Sequence, residues 1–306
     1  MKISNVQYAR IVLTKKCNMS CTFCHQEGCS FNEEDIDYNL LIEVIKKLYE
    51  IGYRKIKLMG GEPMLYPQIK DAVCEIKRIG SDIDLSMISN GSAASEKYIE
   101  LLENGLDRLN ISVHGWEKDY FCKNTGNSIE QCERVKNNIF HLAEQGKINK
   151  INYVLQKGKN EQDFINMVDT VKKYNLLIDV LNLLVFPNQN NLEHLQYSFE
   201  EIETFINCNW NVVHIEKYDN PYSFSSKRLY LSNGCVINLK INKLNEQNIF
   251  YSCNKCKHKK FCIEGIKAIR LTNAGFIQPC LLRRDNTLKL GETIVLDEIK
   301  NYLKEL

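Results

Sequence analysis

Residues 8–24 read YARIVLTKKCNMSCTFC and contain the strongest signal in the chain. Apolar and β-branched side chains prevail in residues 8–13, which predicts a short buried strand. Three cysteines follow the strand, Cys17, Cys21 and Cys24, with the spacing Cx3Cx2C. Three thiolates can bind three irons of a [4Fe–4S] cube, which leaves the fourth iron open to a small chelating ligand. A structural zinc site with His25 as the fourth ligand is the alternative.

The overall composition is that of a soluble globular protein. The chain has 306 residues, of which 44% are hydrophobic and 25% charged, and its net charge is +2. A nucleic-acid partner is not expected, because there is no strong basic bias. The 13 cysteines follow a polar start without a signal-peptide pattern, so we expect a cytoplasmic protein whose thiols are reduced and bind metal. No apolar run is long enough to predict a membrane span.

Strand and helix patterns alternate through the first two thirds of the chain. Strand-like segments cover residues 8–13, 55–59, 83–88, 108–113, 150–155 and 177–184. Six helical patterns are predicted among these segments. The first covers residues 40–50 and ends before Gly52, and the second begins at Pro67 and ends at Gly80. Ser95 and Ser128 cap the third and fourth, residues 161–174 form the fifth, and Ser198 with Glu201 forms a capping box for the sixth. This order predicts an α/β fold, a partial (βα)6 TIM-like barrel with a parallel sheet and right-handed crossovers.

The positions of the site and of a domain boundary follow from this architecture. In a barrel of this kind, functional residues lie in the loops at the carboxyl ends of the strands. The cysteine loop follows the first predicted strand, and residues 60–63 follow the second. The alternation breaks at about Asp219. We therefore predict a barrel domain at 1–218 and a small iron–sulfur domain at 219–306.

Five further cysteines lie in the predicted second domain. Four of them, Cys253, Cys256, Cys262 and Cys280, have the spacing Cx2Cx5Cx17C. This spacing predicts an auxiliary iron–sulfur cluster, with a structural zinc site as the alternative. Cys235 is interpreted as a buried free thiol.

The first cysteine loop and its companion motifs resemble the radical S-adenosylmethionine (SAM) superfamily. Phe23 precedes the last cysteine, Gly60-Gly61-Glu62-Pro63 follows the second strand, and Ser89-Asn90-Gly91 follows the third. The resemblance implies that the three cysteines bind a [4Fe–4S] cluster and that SAM is cleaved to a 5′-deoxyadenosyl radical, which abstracts hydrogen from a substrate. It also implies that SAM contacts the following residues: Phe23, Gly60, Gly61, Glu62, Asn90, Ser112 and His114. A strand serine bonded to the backbone is the alternative for Ser112, and an exposed loop histidine is the alternative for His114.

A narrower resemblance is to the GTP 3′,8-cyclase type of enzyme in molybdenum-cofactor biosynthesis. Segments 10–18, 24–28, 109–114, 154–160 and 270–275 are similar to that family. The resemblance implies a twitch-type C-terminal domain with a second cluster, and a small anionic, nucleotide-like substrate. It implies that basic residues bind this substrate: Arg10, Lys55, Lys57, Lys157 and Arg270. Solvated surface charges are the alternative for the lysines.

Departures from the cyclase pattern keep a second function open. Ile263 and Ile266 stand where the cyclases have cysteines, and the Cx2Cx5C spacing is similar to that of SPASM-type enzymes, which mature peptides. A SPASM/twitch-type enzyme that modifies a peptide or protein is therefore the first alternative, and a non-catalytic iron–sulfur or zinc protein is the second. For either enzyme we expect a flavodoxin- or ferredoxin-type reductant as a partner.

Overall fold

Six parallel strands, hydrogen-bonded in chain order, form the centre of the sheet. The computed structural model describes residues 8–26, 35–185, 190–219, 225–241, 251–254, 256, 257, 259, 262, 266, 268–283, 285–291 and 296–305. The six strands are β1 (Tyr8–Val12), β2 (Lys55–Met59), β3 (Asp84–Ser89), β4 (Arg108–Val113), β5 (Lys150–Leu155) and β6 (Leu177–Asn182). Every neighbouring pair among them is parallel. The predicted α/β fold with a parallel central sheet is confirmed.

Further strands extend the sheet at both edges. The meander of β7 (Val212–Tyr218), β8 (Ser225–Leu231) and β9 (Val236–Ile241) is antiparallel, and β9 pairs with β6 in parallel. At the other edge β10 (Ile269–Leu271) pairs with β1 in parallel, and β11 (Phe276–Gln278) and β12 (Leu288–Lys289) follow in antiparallel order. Among the described strands the sheet is open, with β12 and β7 at its ends, as a partial barrel requires.

The predicted domain boundary falls within this sheet. It separates β7 from β8, and these two strands pair directly, with Tyr218 opposite Ser226. Strands from 219–306 therefore lie at both edges of the barrel sheet. The division into 1–218 and 219–306 stays a prediction.

The described helices lie between the strands along the chain, except the last one, which follows β12. They are α1 (Tyr38–Glu50), α2 (Ile69–Ile79), α3 (Ser95–Glu103), α4 (Lys118–Thr125), α5 (Ile129–Glu144), α6 (Glu161–Val171), α7 (Phe199–Asn209), α8 (Tyr251–Asn254) and α9 (Leu296–Glu305). None of the described helices has the length and apolar character needed to cross a membrane.

Two of the predicted helix caps are confirmed and one is wrong. Ser128 caps α5, and Ser198 with Glu201 forms the capping box of α7. Ser95 does not cap α3, because it is already the first helical residue and Ala94 occupies the cap position. The Ser95 hydroxyl donates instead to the side chain of the next residue, a glutamate.

Other helix boundaries differ by one turn or less, and three of the described helices, α4, α8 and α9, were not predicted. The second helix begins at Ile69, because Pro67 lies in the turn before it. The predicted helix over 161–174 ends at Val171 and continues as a 3₁₀ turn. The unpredicted helix α4 lies within the barrel and has only eight residues and a single large buried hydrophobic side chain, Phe121.

The two faces of the central sheet have different chemistry. Odd residues of β1 and β4, such as Ile11 and Ile111, belong to the large apolar core with the helices. Side chains alternate between faces along a strand, so even residues such as Arg10 and Asn110 point into the barrel lumen. The lumen-facing Val12 is accordingly buried outside the main core. The lumen is therefore the polar side of the sheet.

Candidate active site

The three cysteines of the first loop lie close together at the carboxyl end of β1. The Cys24 amide donates to the Cys21 carbonyl at 3.0 Å, and the Met19 amide donates to Cys17 Sγ at 3.4 Å. Burial, followed by the nearby Cys24 and Cys17, raises the pKa of Cys21 to about 12. A thiolate at Cys21 therefore needs a positive partner, which bound iron would supply.

The arrangement of the three cysteines fits a cluster in which each thiolate binds a different iron. Within the described ranges, no three His, Cys, Asp or Glu side chains converge as ligands of one metal ion. In a [4Fe–4S] cube each cysteine binds a different iron, so its thiolates need not converge on one point. The residues that could hold such a cube are Cys17, Cys21 and Cys24.

The glycine turn after β2 packs directly on the cysteine loop. The Gly61 amide donates to the Thr14 carbonyl at 2.7 Å, and the Glu62 amide donates to the Lys16 carbonyl at 2.8 Å. A Cβ atom on Gly60 would lie 2.4 Å from the Thr14 carbonyl oxygen, and one on Gly61 would lie 2.2 Å from that of Lys16. Both glycines are thus required by the close approach of two loops. Their predicted contact with SAM stays a prediction.

The carboxylate of Glu62 is buried and joins the loops after β2 and β3. It accepts hydrogen bonds from Ser89 Oγ at 2.8 Å, the Asn90 amide at 2.7 Å and the Met64 amide at 3.1 Å. Burial raises the pKa of Glu62 to about 7. In this structure Glu62 holds its neighbours in place, and the expected bond to the SAM amino group stays a prediction.

Asn90 connects the third strand to the cysteine loop. Its Nδ2 donates to Asn18 Oδ1 at 2.9 Å and lies 4.0 Å from Cys17 Sγ. Asn18 in turn donates to Ser92 Oγ at 2.9 Å and accepts from Asn127 Nδ2 at its carbonyl at 2.7 Å. The amide side chains therefore fix Asn18, the residue that follows Cys17.

Phe23 and His114 pack against each other beside the cysteine loop. Their ring centroids are 5.6 Å apart with an interplanar angle of 54°. Burial lowers the pKa of His114 to about 4, so the imidazole is neutral at physiological pH. Its Nδ1 is buried with no hydrogen-bond partner among the described residues. Ser112 precedes it on the lumen face of β4, opposite Asn152.

The C-terminal end of α4 is hydrogen-bonded to the cysteine loop. No sequence pattern indicated this contact. The Ser20 amide donates to the Thr125 carbonyl at 2.8 Å, and the Thr22 amide donates to the Asn124 carbonyl at 2.9 Å. The Thr22 hydroxyl also donates to Asn124 Oδ1 at 2.6 Å, while Asn124 Nδ2 donates to the His114 carbonyl at 2.6 Å. Asn124 thus links the cysteine loop to the loop after β4. These contacts join distant parts of the chain, so no local pattern could have revealed them.

The predicted substrate residues fall into two groups. Arg10, Lys57 and Arg270 are brought together, since Arg10 is the register partner of both others on neighbouring strands. Burial, followed by the positive charges of Arg10, Lys150 and Arg108, lowers the pKa of Lys57 to about 7.

The remaining two predicted substrate residues lie apart from this row. Lys55 is exposed at the start of β2. Lys157 forms an exposed ion pair with Glu201 and lies over the Tyr197 ring. The structure therefore groups three of the five predicted basic residues.

The C-terminal cysteines also lie near one another. The Cys256 amide donates to the Cys253 carbonyl at 3.1 Å. Burial and the nearby Cys262 raise the pKa of Cys280. The Asp285 hydrogen bond, and then Cys256 and Cys280, raise the pKa of Arg283. All four predicted ligands of an auxiliary cluster are thus in one region, whereas Cys235 is buried elsewhere and donates to the Val168 carbonyl.

The chain is similar in sequence to proteins named GTP 3′,8-cyclase. The chain is 29% identical to a probable GTP 3′,8-cyclase of Methanococcus aeolicus, over 98% of this chain and 97% of the relative. It is also 29% identical to a GTP 3′,8-cyclase of Clostridium botulinum, over 90% and 81% of the two chains.

Solved structures share the fold at low sequence identity. Streptococcus suis SuiB bound to its precursor peptide SuiA superposes with a TM-score of 0.64 at 15% identity, over 95% of this chain and 64% of SuiB. The protein anSMEcpe with bound AdoMet gives a TM-score of 0.63 at 14% identity, over 98% and 77% of the two chains. A profile of the radical SAM superfamily matches residues 11–171, which include the cysteine loop, the glycine turn and Asn90. The chain belongs to the radical SAM superfamily, whose members use a [4Fe–4S] cluster and SAM.

Proposed function

We propose that this radical SAM enzyme acts on a small anionic, nucleotide-like molecule. The relatives named GTP 3′,8-cyclase have a substrate of this class according to their name. The observation that carries the proposal is the row of Arg10, Lys57 and Arg270 on the lumen face. Cationic side chains in a partly desolvated lumen attract an anionic substrate and orient it. Similarity over nearly the full length of cyclase relatives supports the same substrate class.

The roles of the remaining site residues follow from their contacts. We propose that Cys17, Cys21 and Cys24 hold the cluster and that SAM lies between the glycine turn, Asn90 and the face of Phe23 and His114. When bound, the cluster and SAM together supply a 5′-deoxyadenosyl radical that abstracts hydrogen from the substrate. The chain itself positions the cysteine loop through Asn90 and α4, and the lumen holds the substrate away from bulk water.

The cluster assignment is tested by replacing Cys17, Cys21 and Cys24 together with Ala. We expect the variant to lose SAM cleavage, measured as 5′-deoxyadenosine formed under dithionite, and to keep iron in the C-terminal region. Cys208→Ala is the matched control, because Cys208 is exposed on α7 and lies outside both cysteine groups. A triple variant that retained all of its iron would contradict the assignment.

The substrate class is tested by incubating the enzyme anaerobically with SAM, a reductant and GTP. A cyclised purine nucleotide, detected by mass spectrometry, is expected if the enzyme is a cyclase. If 5′-deoxyadenosine forms at the same rate with and without nucleoside triphosphates and no nucleotide is altered, the nucleotide proposal fails. Arg10→Met should abolish nucleotide-dependent turnover, because it removes the central charge of the row.

A peptide-modifying enzyme is the second candidate, and the C-terminal cysteines favour it. We propose that Cys253, Cys256, Cys262 and Cys280 bind an auxiliary cluster. Four cysteine ligands would leave no iron of that cluster open to a substrate. Replacing Cys253 and Cys256 should remove about half of the iron, whereas zinc in their place would indicate a structural site. Membership of an enzyme superfamily argues against the non-catalytic alternative.

A further inference from the structure

A tight turn after β5 fixes the backbone of Lys159. The amides of Lys159 and Asn160 donate to the Gln156 carbonyl at 3.2 and 3.3 Å, and Gly158 has a φ of 67°. The Asn160 side chain is buried and closes the turn, because Oδ1 accepts from the Gln156 amide at 2.7 Å and Nδ2 donates to the Val154 carbonyl at 2.9 Å. The turn therefore holds the base of the Lys159 side chain in one place.

The Lys159 ammonium reaches the cysteine loop. Its Nζ donates to Thr22 Oγ1 at 3.2 Å, although 137 residues separate the two along the chain. Thr22 stands between Cys21 and Cys24, two of the three proposed cluster ligands. A cationic side chain from the loop after β5 is thus placed beside the segment that would hold the cluster.

The charge of Lys159 is not neutralised by a carboxylate among the described residues. Glu161, the acidic residue nearest to it in the sequence, accepts a hydrogen bond from Tyr197 Oη at 2.7 Å. Lys157, in the same turn, forms an ion pair with Glu201. The charge of Lys157 is therefore compensated, whereas that of Lys159 is not.

The partner of Lys159 requires a hydrogen-bond donor but not a charge. The Thr22 hydroxyl donates its proton to Asn124 Oδ1 at 2.6 Å, so only its lone pairs remain for Lys159. Asn124 Nδ2 in turn donates to the His114 carbonyl at 2.6 Å, which fixes the direction of this chain of hydrogen bonds. A neutral donor such as glutamine would satisfy Thr22 equally well. The positive charge therefore needs an explanation other than this hydrogen bond.

We propose that the Lys159 ammonium raises the reduction potential of the [4Fe–4S] cluster held by Cys17, Cys21 and Cys24. A cube with three thiolate ligands is anionic, and it gains one further negative charge when it takes an electron from a low-potential one-electron reductant. No bond forms or breaks in this step, and no proton moves. A nearby cation stabilises the reduced form more than the oxidised form, so reduction becomes easier. The inference rests on the proposed cluster ligands.

Solvent limits the size of this effect. A unit charge at about 10 Å, with an effective dielectric constant of about 20, changes a one-electron equilibrium by about tenfold. Lys159 is exposed, so water and salt screen part of its charge. We expect its loss to lower the ratio of reduced to oxidised cluster about three- to tenfold at a fixed solution potential, which is about 30–60 mV for a one-electron couple.

The test is a redox titration of the full-length, anaerobically reconstituted protein with dithionite, followed by electron paramagnetic resonance. The signal that changes when SAM is added identifies the cluster concerned and separates it from an auxiliary cluster. Lys159→Met and Lys159→Gln should lower its midpoint potential equally, and Lys159→Arg, which keeps the charge, should leave it near the wild-type value. Lys147→Met is the matched control: it removes the same charge, but Lys147 precedes β5 and pairs with Glu103, so the potential should not change.

The variants separate an effect of charge from a structural role. An unchanged midpoint potential in a Lys159→Met variant that retains its iron would overturn the inference. A Lys159→Gln variant with the wild-type potential would do the same, because the hydrogen bond and not the charge would then matter. Loss of iron without a shift in the potential of the remaining cluster would show that Lys159 only holds the loop. A wild type without any SAM-sensitive signal would refute the proposed cluster ligands and this inference with them.

Discussion

Replacing Lys57 with Met should stabilise the ligand-free protein at neutral pH. Burial and neighbouring cations lower the pKa of Lys57 from 10.5 to about 7. At about 1.4 kcal/mol per pKa unit, this sets an upper limit on the order of 5 kcal/mol for the cost of burying the lysine. Because Lys57 lines an open cavity, water screens part of this cost, and we expect a gain of about 2 kcal/mol.

The gain should depend on pH, and its direction follows from proton binding. Between about pH 7 and pH 10.5, the unfolded lysine is protonated whereas folded Lys57 is mostly neutral. The unfolded state then binds more protons, so the stability of the wild type rises with pH in this window. The methionine side chain of the variant cannot titrate. The stability difference between the variant and the wild type should therefore shrink as the pH is raised from 7 towards 10.5.

The measurement is urea denaturation followed by the fluorescence of Trp116 and Trp210, with all proteins in the same cluster-loaded state. Lys147→Met serves as the control, because its ion pair with Glu103 is partly exposed and its loss should change the free energy of unfolding by about 0.5 kcal/mol or less. A Lys57→Met variant that is less stable than the wild type at pH 7, or whose advantage does not change with pH, would refute the reasoning.

Three further substitutions test how the site is supported. Asn124→Ala should lower the free energy of unfolding by about 1–3 kcal/mol, because two partly buried hydrogen bonds lose a partner, and iron analysis should show weaker cluster retention. Gly61→Ala should lose SAM binding in equilibrium dialysis while remaining folded by circular dichroism, since a Cβ would lie 2.2 Å from the Lys16 carbonyl oxygen; unchanged SAM affinity would contradict the tight packing. Asp163→Asn should reduce the free energy of SAM binding by more than it reduces the free energy of unfolding. The Asp163 carboxylate accepts a hydrogen bond from the Trp116 amide at 2.9 Å and so holds the loop after β4.

Most of the barrel could be predicted from sequence because its signals are local. Strands β1 to β6 are apolar on at least one face and are bounded by glycines and helix caps, so pattern and spacing located them within two residues. The cysteine loop is equally local, since Cys17, Cys21 and Cys24 lie within eight residues. Its place at the end of β1 then followed from the architecture.

The hydrogen bonds that hold the site residues in place could not be predicted, because they join segments that are distant in the sequence. Asn124 meets Thr22 across 102 residues, and Asn90 meets Asn18 across 72. Neither asparagine belongs to a long amphipathic pattern from which the direction of its side chain could be predicted. The same limit applies to Lys157, whose similarity to a cyclase position does not reveal that it pairs with Glu201 outside the lumen row.

The two faces of the sheet have separate roles, because the apolar face stabilises the fold while the polar lumen face presents the residues proposed to bind substrate. Because side chains alternate along each strand, β2 places Ile56 and Leu58 in the core while Lys57 faces the lumen. Burial of a lumen lysine such as Lys57 costs stability in the free protein, and the apolar face must offset that cost. Selection for folding alone would place an apolar residue at this position. An anionic substrate, as proposed above, would offset the cost when it binds beside Lys57, which explains why a lysine is kept there.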